Sequence, residues 1–167
     1  MKKLLPVFAS TSTLLAILGI ILFVMPGYSV SATVLGNTSV TNYSIYNLIF
    51  GCDLTDNTVS VGLLIAFILT IIAILVGIVV SYLFFMKKKK NSTLPSLLAL
   101  GQIVAVLASA ILIFCLLPLT GLSTGSVDYS ILKGSASLGS GVILSGIILI
   151  LSGLFMIPAA LKPILKK

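Results

Sequence analysis

Few residues in this chain could do chemistry. The acids are Asp53, Asp56 and Asp128, all ten basic residues are lysines, and there is no His. A His-ligated metal site and a His general base are therefore excluded. Asp53, Asp56 and Asn57 form a small oxygen-rich cluster. A hard cation takes about six oxygen ligands, and this spacing matches no known binding loop, so a solvated loop is the better reading. Cys52 and Cys115 do not make a Cys-x-x-Cys pair, which disfavours thiol-oxidoreductase chemistry. They could meet as a disulfide in an oxidising exterior, or serve as a loop thiol and a small apolar residue. No glycine-rich phosphate loop, nucleophile with a base, or paired intramembrane carboxylates can be assembled. The expectation is a non-enzyme that carries no cofactor and no metal.

The chain that must position these residues has 167 residues, 59% hydrophobic and 8% charged. Soluble domains have about 45–50% apolar and about 25% charged residues. There is too little polar surface here to cover a soluble globule. The reading is a single integral membrane domain, and soluble enzymes and nucleic-acid-binding domains are excluded. Four apolar stretches, at about 4–25, 61–86, 95–117 and 138–161, are each long enough to cross a bilayer as a helix. They leave outer loops at 26–60 and 118–137 and an inner loop at 87–94. Nine of the ten lysines, including the run Lys87, Lys88, Lys89 and Lys90, fall at the termini and the 87–94 loop, whereas all three acids fall in the other loops. The positive-inside rule then places both termini in the cytoplasm of a multi-pass plasma-membrane protein. That topogenic role accounts for the basic run, with an anionic-lipid or protein contact as its alternative use.

Helices in lipid associate through small residues. The second span carries Gly62, Ala66, Thr70, Ala73, Gly77 and Ser81 at steps of three and four, which is one helical face. The third carries Gly101, Ala105, Ala108 and Ser109, and the fourth Gly139, Gly146 and Gly153 beside Ser145 and Ser152. These stripes predict a compact four-helix bundle. Gln102 is the one amide inside a span, and a hydrogen bond to a neighbouring helix is its expected role. Coupled transport generally needs an intramembrane ionisable group. None is present, so a small multidrug-type antiporter is disfavoured. A homo-oligomeric pore or facilitator for a small neutral solute stays open. Its polar path would have to use Gln102, Thr70, Ser109, Ser145 and Ser152.

The outer loops have strand character. Tyr28 to Val34 alternates and meets a Gly36-Asn37 turn signal, and Val40 to Phe50 is rich in β-branched and aromatic residues. A small sheet in the first loop is expected. Asn42-Tyr43-Ser44-Ile45 and Asp128-Tyr129-Ser130-Ile131 match at corresponding places in the two hairpins. This suggests two parallel repeats about an axis along the membrane normal. The first span also reads as a signal peptide with Val30-Ser31-Ala32 as its cleavage site, but a repeat would require it to be retained. Tyr28, Tyr43, Tyr46, Phe50 and Tyr129 are the candidate outer interaction surface, with interfacial anchoring as the plainer use.

The stretch Asn42-Tyr43-Ser44-Ile45-Tyr46-Asn47-Leu48-Ile49-Phe50-Gly51 between two spans resembles the outer loop of small uncharacterised four-span proteins of low-GC Gram-positive bacteria and mollicutes. The Lys-for-Arg bias and the richness in Ile are similar to those proteomes. The resemblance implies a bacterial plasma membrane and carries no activity. The sequence reading is thus an all-α transmembrane four-helix bundle with small β elements outside. Its expected role is structural or accessory, with the lipid bilayer and another membrane protein or itself as partners.

Overall fold

The computed structural model describes residues 4–34, 36–56, 58–86, 93–122, 124–128 and 132–161. Four helices are long and apolar enough to span a membrane. They are α1 (Leu5–Ile21), extended by a 3-10 turn to Val24, α3 (Val61–Phe85), α4 (Leu94–Phe114) and α6 (Ser140–Ala160). Pro6 and Pro95 sit in the first turns of α1 and α4, where a missing N–H costs nothing. Each helix packs on its two neighbours in a closed ring, α1–α3–α4–α6.

The bundle turns its small residues inward. Ala9, Ser12, Ala16, Ala66, Thr70, Ala73, Ala99, Ser109, Ser145 and Ser152 are buried. Leu, Ile and Val residues such as Leu14, Ile68, Leu75, Val104, Ile111 and Ile147 face outward. Lipid tails satisfy such a surface, and close backbone approach stabilises the inside by packing.

The third apolar stretch does not run as one helix to residue 117. It breaks at Cys115 and resumes as α5 (Leu116–Thr120). Pro118 is the cause: it has no N–H for the Phe114 carbonyl, and its ring collides with that turn. The fourth apolar stretch begins as a strand, because Leu138 closes the strand Leu132–Leu138 and the helix starts at Ser140.

The loops at 26–60 and 118–137, at one end of the bundle, build one antiparallel sheet, in the order β2-β1-β4-β3. Its strands are β1 (Pro26–Val34), β2 (Asn37–Ser44), β3 (Gly125–Asp128) and β4 (Leu132–Leu138). The small β elements expected in these loops are present, and they join into a single sheet shared by both. β1 is central, with Ser31 opposite Val40 on one side and Ser135 on the other. The short helix α2 (Ile45–Phe50) follows β2, and the Ser44 hydroxyl caps it by accepting from the Asn47 N–H at 3.1 Å.

The sheet order does not carry the two-fold relation expected of parallel repeats. Such an axis would place like strands together at the centre, whereas β1 lies beside β4. The matched peptides also differ in setting. Asn42 to Ile45 runs from the end of β2 into α2, while Asp128 closes β3. Tyr129 to Ile131 lies outside the described residues.

Candidate functional site: an outer sheet on a sealed bundle

The sheet grows directly from the bundle. β1 follows α1 and β4 leads into α6, and at their junction the Gly139 N–H donates to the Gly27 carbonyl at 2.9 Å. A Cβ at Gly139 would run into the Pro26 carbonyl, so the two chains cross where only glycine fits. The paired residues at this base are Tyr28 and Leu138, and those at the tip are Val34 and Leu132.

Alternation gives the sheet two different faces. One carries Tyr28, Val30, Ala32 and Val34 of β1 in register with Leu138, Ala136 and Gly134 of β4. The other is hydroxyl-rich. There Ser29 donates to the Asn42 Oδ1 at 2.7 Å, Ser31 and Ser135 hydroxyls pair at 2.7 Å, and Thr33 and Thr38 pair at 2.8 Å. Only the base of the apolar face is covered. Val30, Tyr43 and Ala136 pack on the core that contains Tyr28, Ile45 and Leu48. From Ser29 to Thr33 every residue of β1 is half-exposed on both faces, and Val34 is exposed. A sheet lying on the bundle would bury every second residue, so this one stands clear of it.

The candidate aromatic surface is rearranged by this fold. Tyr28 is only 3% exposed, and burial raises its phenol above the ordinary range. It is a core residue because its side of β1 faces Ile45 at the sheet base. Tyr43 and Tyr46 are half-buried against the same core. Tyr46 stacks edge-on with Phe23 at 5.9 Å and Phe67 at 5.7 Å, and its hydroxyl donates to the Ile20 carbonyl at 3.3 Å. Phe50 lies against Phe67 at 5.9 Å but is 54% exposed. These rings form a plug where α1, α2 and α3 meet, and not an open patch. Tyr129 and Lys87 to Lys90 fall outside the described residues.

Inside the bundle the polar groups form separate closed clusters. Near the outer end, the Thr70 and Ser109 hydroxyls lie 2.6 Å apart, and each is 2.8 Å from the Ala66 carbonyl. Deeper, Ser12 and Ser152 bind each other's backbone, and the Gln102 Nε2 donates to the Ser12 Oγ at 3.2 Å. Ser145 donates to Gly141 of its own helix at 2.5 Å. Gln102 thus bonds across the bundle to α1, the helix opposite its own in the ring, while its Oε1 and the Ser81 Oγ have no partner among the described residues.

The small-residue stripes divide by this test. Ala66, Thr70, Ala73 and Gly77 are buried, as are Gly139, Gly146 and Gly153. A Cβ at Gly77 would come within 2.5 Å of the Thr13 Oγ1, and one at Gly146 within 2.5 Å of the Phe114 ring. Gly62 is half-buried beneath Leu119 of α5, and Ser81 and Ala105 are half-buried. Gly101 is exposed with nothing within 4 Å, so it is no packing glycine; α4 presents Gln102 and Val106 inward, and Gly101 lies on the far side.

The sequence reading missed the stripe on α1. Leu5, Ala9, Ser12, Thr13, Ala16 and Gly19 are buried at steps of three and four. Ser12 and Thr13 are part of the bundle wall, and Val30-Ser31-Ala32 lies inside the central strand. Cys52 and Cys115 are free thiols, both half-buried. Asp53 opens a 3-10 turn, and Asp56 follows it with φ +48°. Comparison with protein-family models and with curated proteins finds no match for this chain.

Proposed function

We propose that this is a non-catalytic, multi-pass plasma-membrane protein, with both termini in the cytoplasm, whose bundle anchors an outer sheet that makes its contacts. The observation that carries this reading is the free-standing sheet. Both outer loops contribute to it, and among the described residues Ala32 is half-exposed and Val34 exposed on its apolar face. Single sheets of this kind need a layer on one face for independent stability. The resemblance to four-span proteins of low-GC Gram-positive bacteria and mollicutes agrees with a bacterial plasma membrane.

The pore reading has less support. Its polar candidates are divided between the Thr70–Ser109 pair, the Ser12–Gln102–Ser152 cluster and Ser145, which bonds to its own helix. A flux assay separates the two readings. Vesicles holding the purified protein are expected to swell in glycerol or urea no faster than protein-free vesicles. Faster swelling would move the reading to a facilitator.

A further inference from the structure

We propose that neighbouring copies of this chain join edge to edge outside the membrane, β2 of one copy on β3 of the next, in a continuous antiparallel sheet. This rests on the interaction reading above and names its partner: a second copy of the chain.

The argument begins with the free edges. Among the described residues, the order β2-β1-β4-β3 leaves β2 and β3 unpaired on their outer sides. An exposed edge is a template for another strand, and proteins that avoid pairing place charge or proline there. β2 reads Asn-Thr-Ser-Val-Thr-Asn-Tyr-Ser, eight residues with neither. Its residues from Asn37 to Asn42 are exposed, and Val40 is 61% exposed.

Strand direction then selects the partner. Every pair in the sheet is antiparallel, so β2 runs opposite to β3. Copies in one membrane share one orientation. Side by side, they bring β2 of one against β3 of the next in the antiparallel sense. That arrangement also keeps the Val30 and Ala32 face of every copy on the same side. A two-fold pair about the membrane normal would instead set β2 against β2 in parallel and turn the apolar face of one copy to the opposite side.

The spacing agrees in both layers. Four strands at about 4.8 Å span about 19 Å. Two helices side by side at about 8–10 Å span about 16–20 Å. A sheet that continues from copy to copy therefore advances by about the width of the bundle beneath it. The contact uses different surfaces on its two sides and does not close on itself, so it builds rows. β3 is only four residues long and ends on the charged Asp128, which confines the contact to Gly125, Ser126 and Val127 against less than half of β2.

Cysteine cross-linking in the membrane tests this. With Cys52→Ser and Cys115→Ser as background, Val40→Cys and Ser126→Cys are introduced together. Both positions belong to the sheet row that also contains Ser31 and Ser135. Mild oxidation is expected to give a ladder of linked dimers, trimers and larger species. Either cysteine alone should leave monomers, and adding Thr38→Lys to the pair should remove most of the ladder. The control is Ser31→Cys with Ser135→Cys, whose hydroxyls lie 2.7 Å apart in one chain. Closure of that control within the chain, with the Val40→Cys/Ser126→Cys protein still monomeric, would overturn the proposal. So would dimers from Val40→Cys alone. The native mass of the wild-type protein, extracted from the same membranes into polymer nanodiscs, separates the two readings. Monomers holding a foreign chain in fixed ratio overturn the copy-to-copy contact and leave the interaction reading standing. Bare monomers overturn both.

Discussion

Ser12 and Ser152 exchange hydrogen bonds across the α1–α6 contact: the Ser12 hydroxyl donates to the Ser152 carbonyl at 2.7 Å, and the Ser152 hydroxyl donates to the Ser12 carbonyl at 2.8 Å. A serine inside a helix ordinarily returns its proton to its own turn. Here both protons cross between helices, which requires the backbones to lie close together. Hydrogen bonds within membrane bundles contribute about 0.6 kcal/mol on average and up to about 1.7 kcal/mol. Ser12→Ala or Ser152→Ala should each cost within that range. The double variant should cost less than the sum, because the two bonds share one geometry. Reversible unfolding in mixed micelles, run as a double-mutant cycle, measures this.

Gln102 should behave differently from the serine it binds. Its Nε2 donates to the Ser12 Oγ, but its Oε1 has no partner among the described residues. Removing the whole amide removes an unsatisfied acceptor together with one bond, and such exchanges are close to neutral. Gln102→Met is expected to change stability by less than about 1 kcal/mol. Ser12→Ala, which leaves the amide wholly unpaired, should cost more in the same unfolding assay.

Gly77 and Gly101 form a matched pair of tests. A methyl at Gly77 would press on the Thr13 Oγ1 and the Gln102 amide, at 2.5 and 2.8 Å, whereas one at Gly101 meets nothing within 4 Å. Overpacking of this kind costs roughly 1–3 kcal/mol. Gly77→Ala should therefore lower the unfolding midpoint, and Gly101→Ala should leave it unchanged or raise it slightly.

Tyr28 should make the protein sensitive to alkali. Burial at the sheet base holds its phenol above the usual value near 10. The unfolded chain then loses this proton at a lower pH than the folded one. The resulting stabilisation is complete below about pH 10 and declines as pH rises above that point. Thermal unfolding followed from pH 8 to 11 should show the decline, and Tyr28→Phe should flatten it.

The spans were legible because lipid imposes a length and forbids buried charge, and their ends fall within a few residues of the helices. α5 was not anticipated, although Pro118 that breaks the helix was visible. β4 was hidden by its composition, since Lys133-Gly134-Ser135-Ala136-Ser137 has no β-branched or aromatic residue. It forms because β1 supplies a long complementary edge, a tertiary effect that outweighs propensity. The same pairing departs from the two-fold relation that the Tyr-Ser-Ile match had suggested, whereas the ring of four helices is compatible with it. Ser12 and Ser152 lie 140 positions apart, so no local pattern could join them. Tyr28 read as an outer aromatic because strand alternation tells sides apart without telling which side is covered.

The junction at Gly139 and Pro26 also gives the sheet a mechanical character. β1 and β4 are stiff continuations of α1 and α6, locked together where the helices leave the bilayer. A strand of nine residues extends about 30 Å at about 3.3 Å per residue. The pair acts as a lever with its fulcrum at the membrane surface. A helix tilt of about 10° carried through that junction would displace the tip by about 5 Å, so the junction ties the attitude of the two helices to the position of the far end of the sheet.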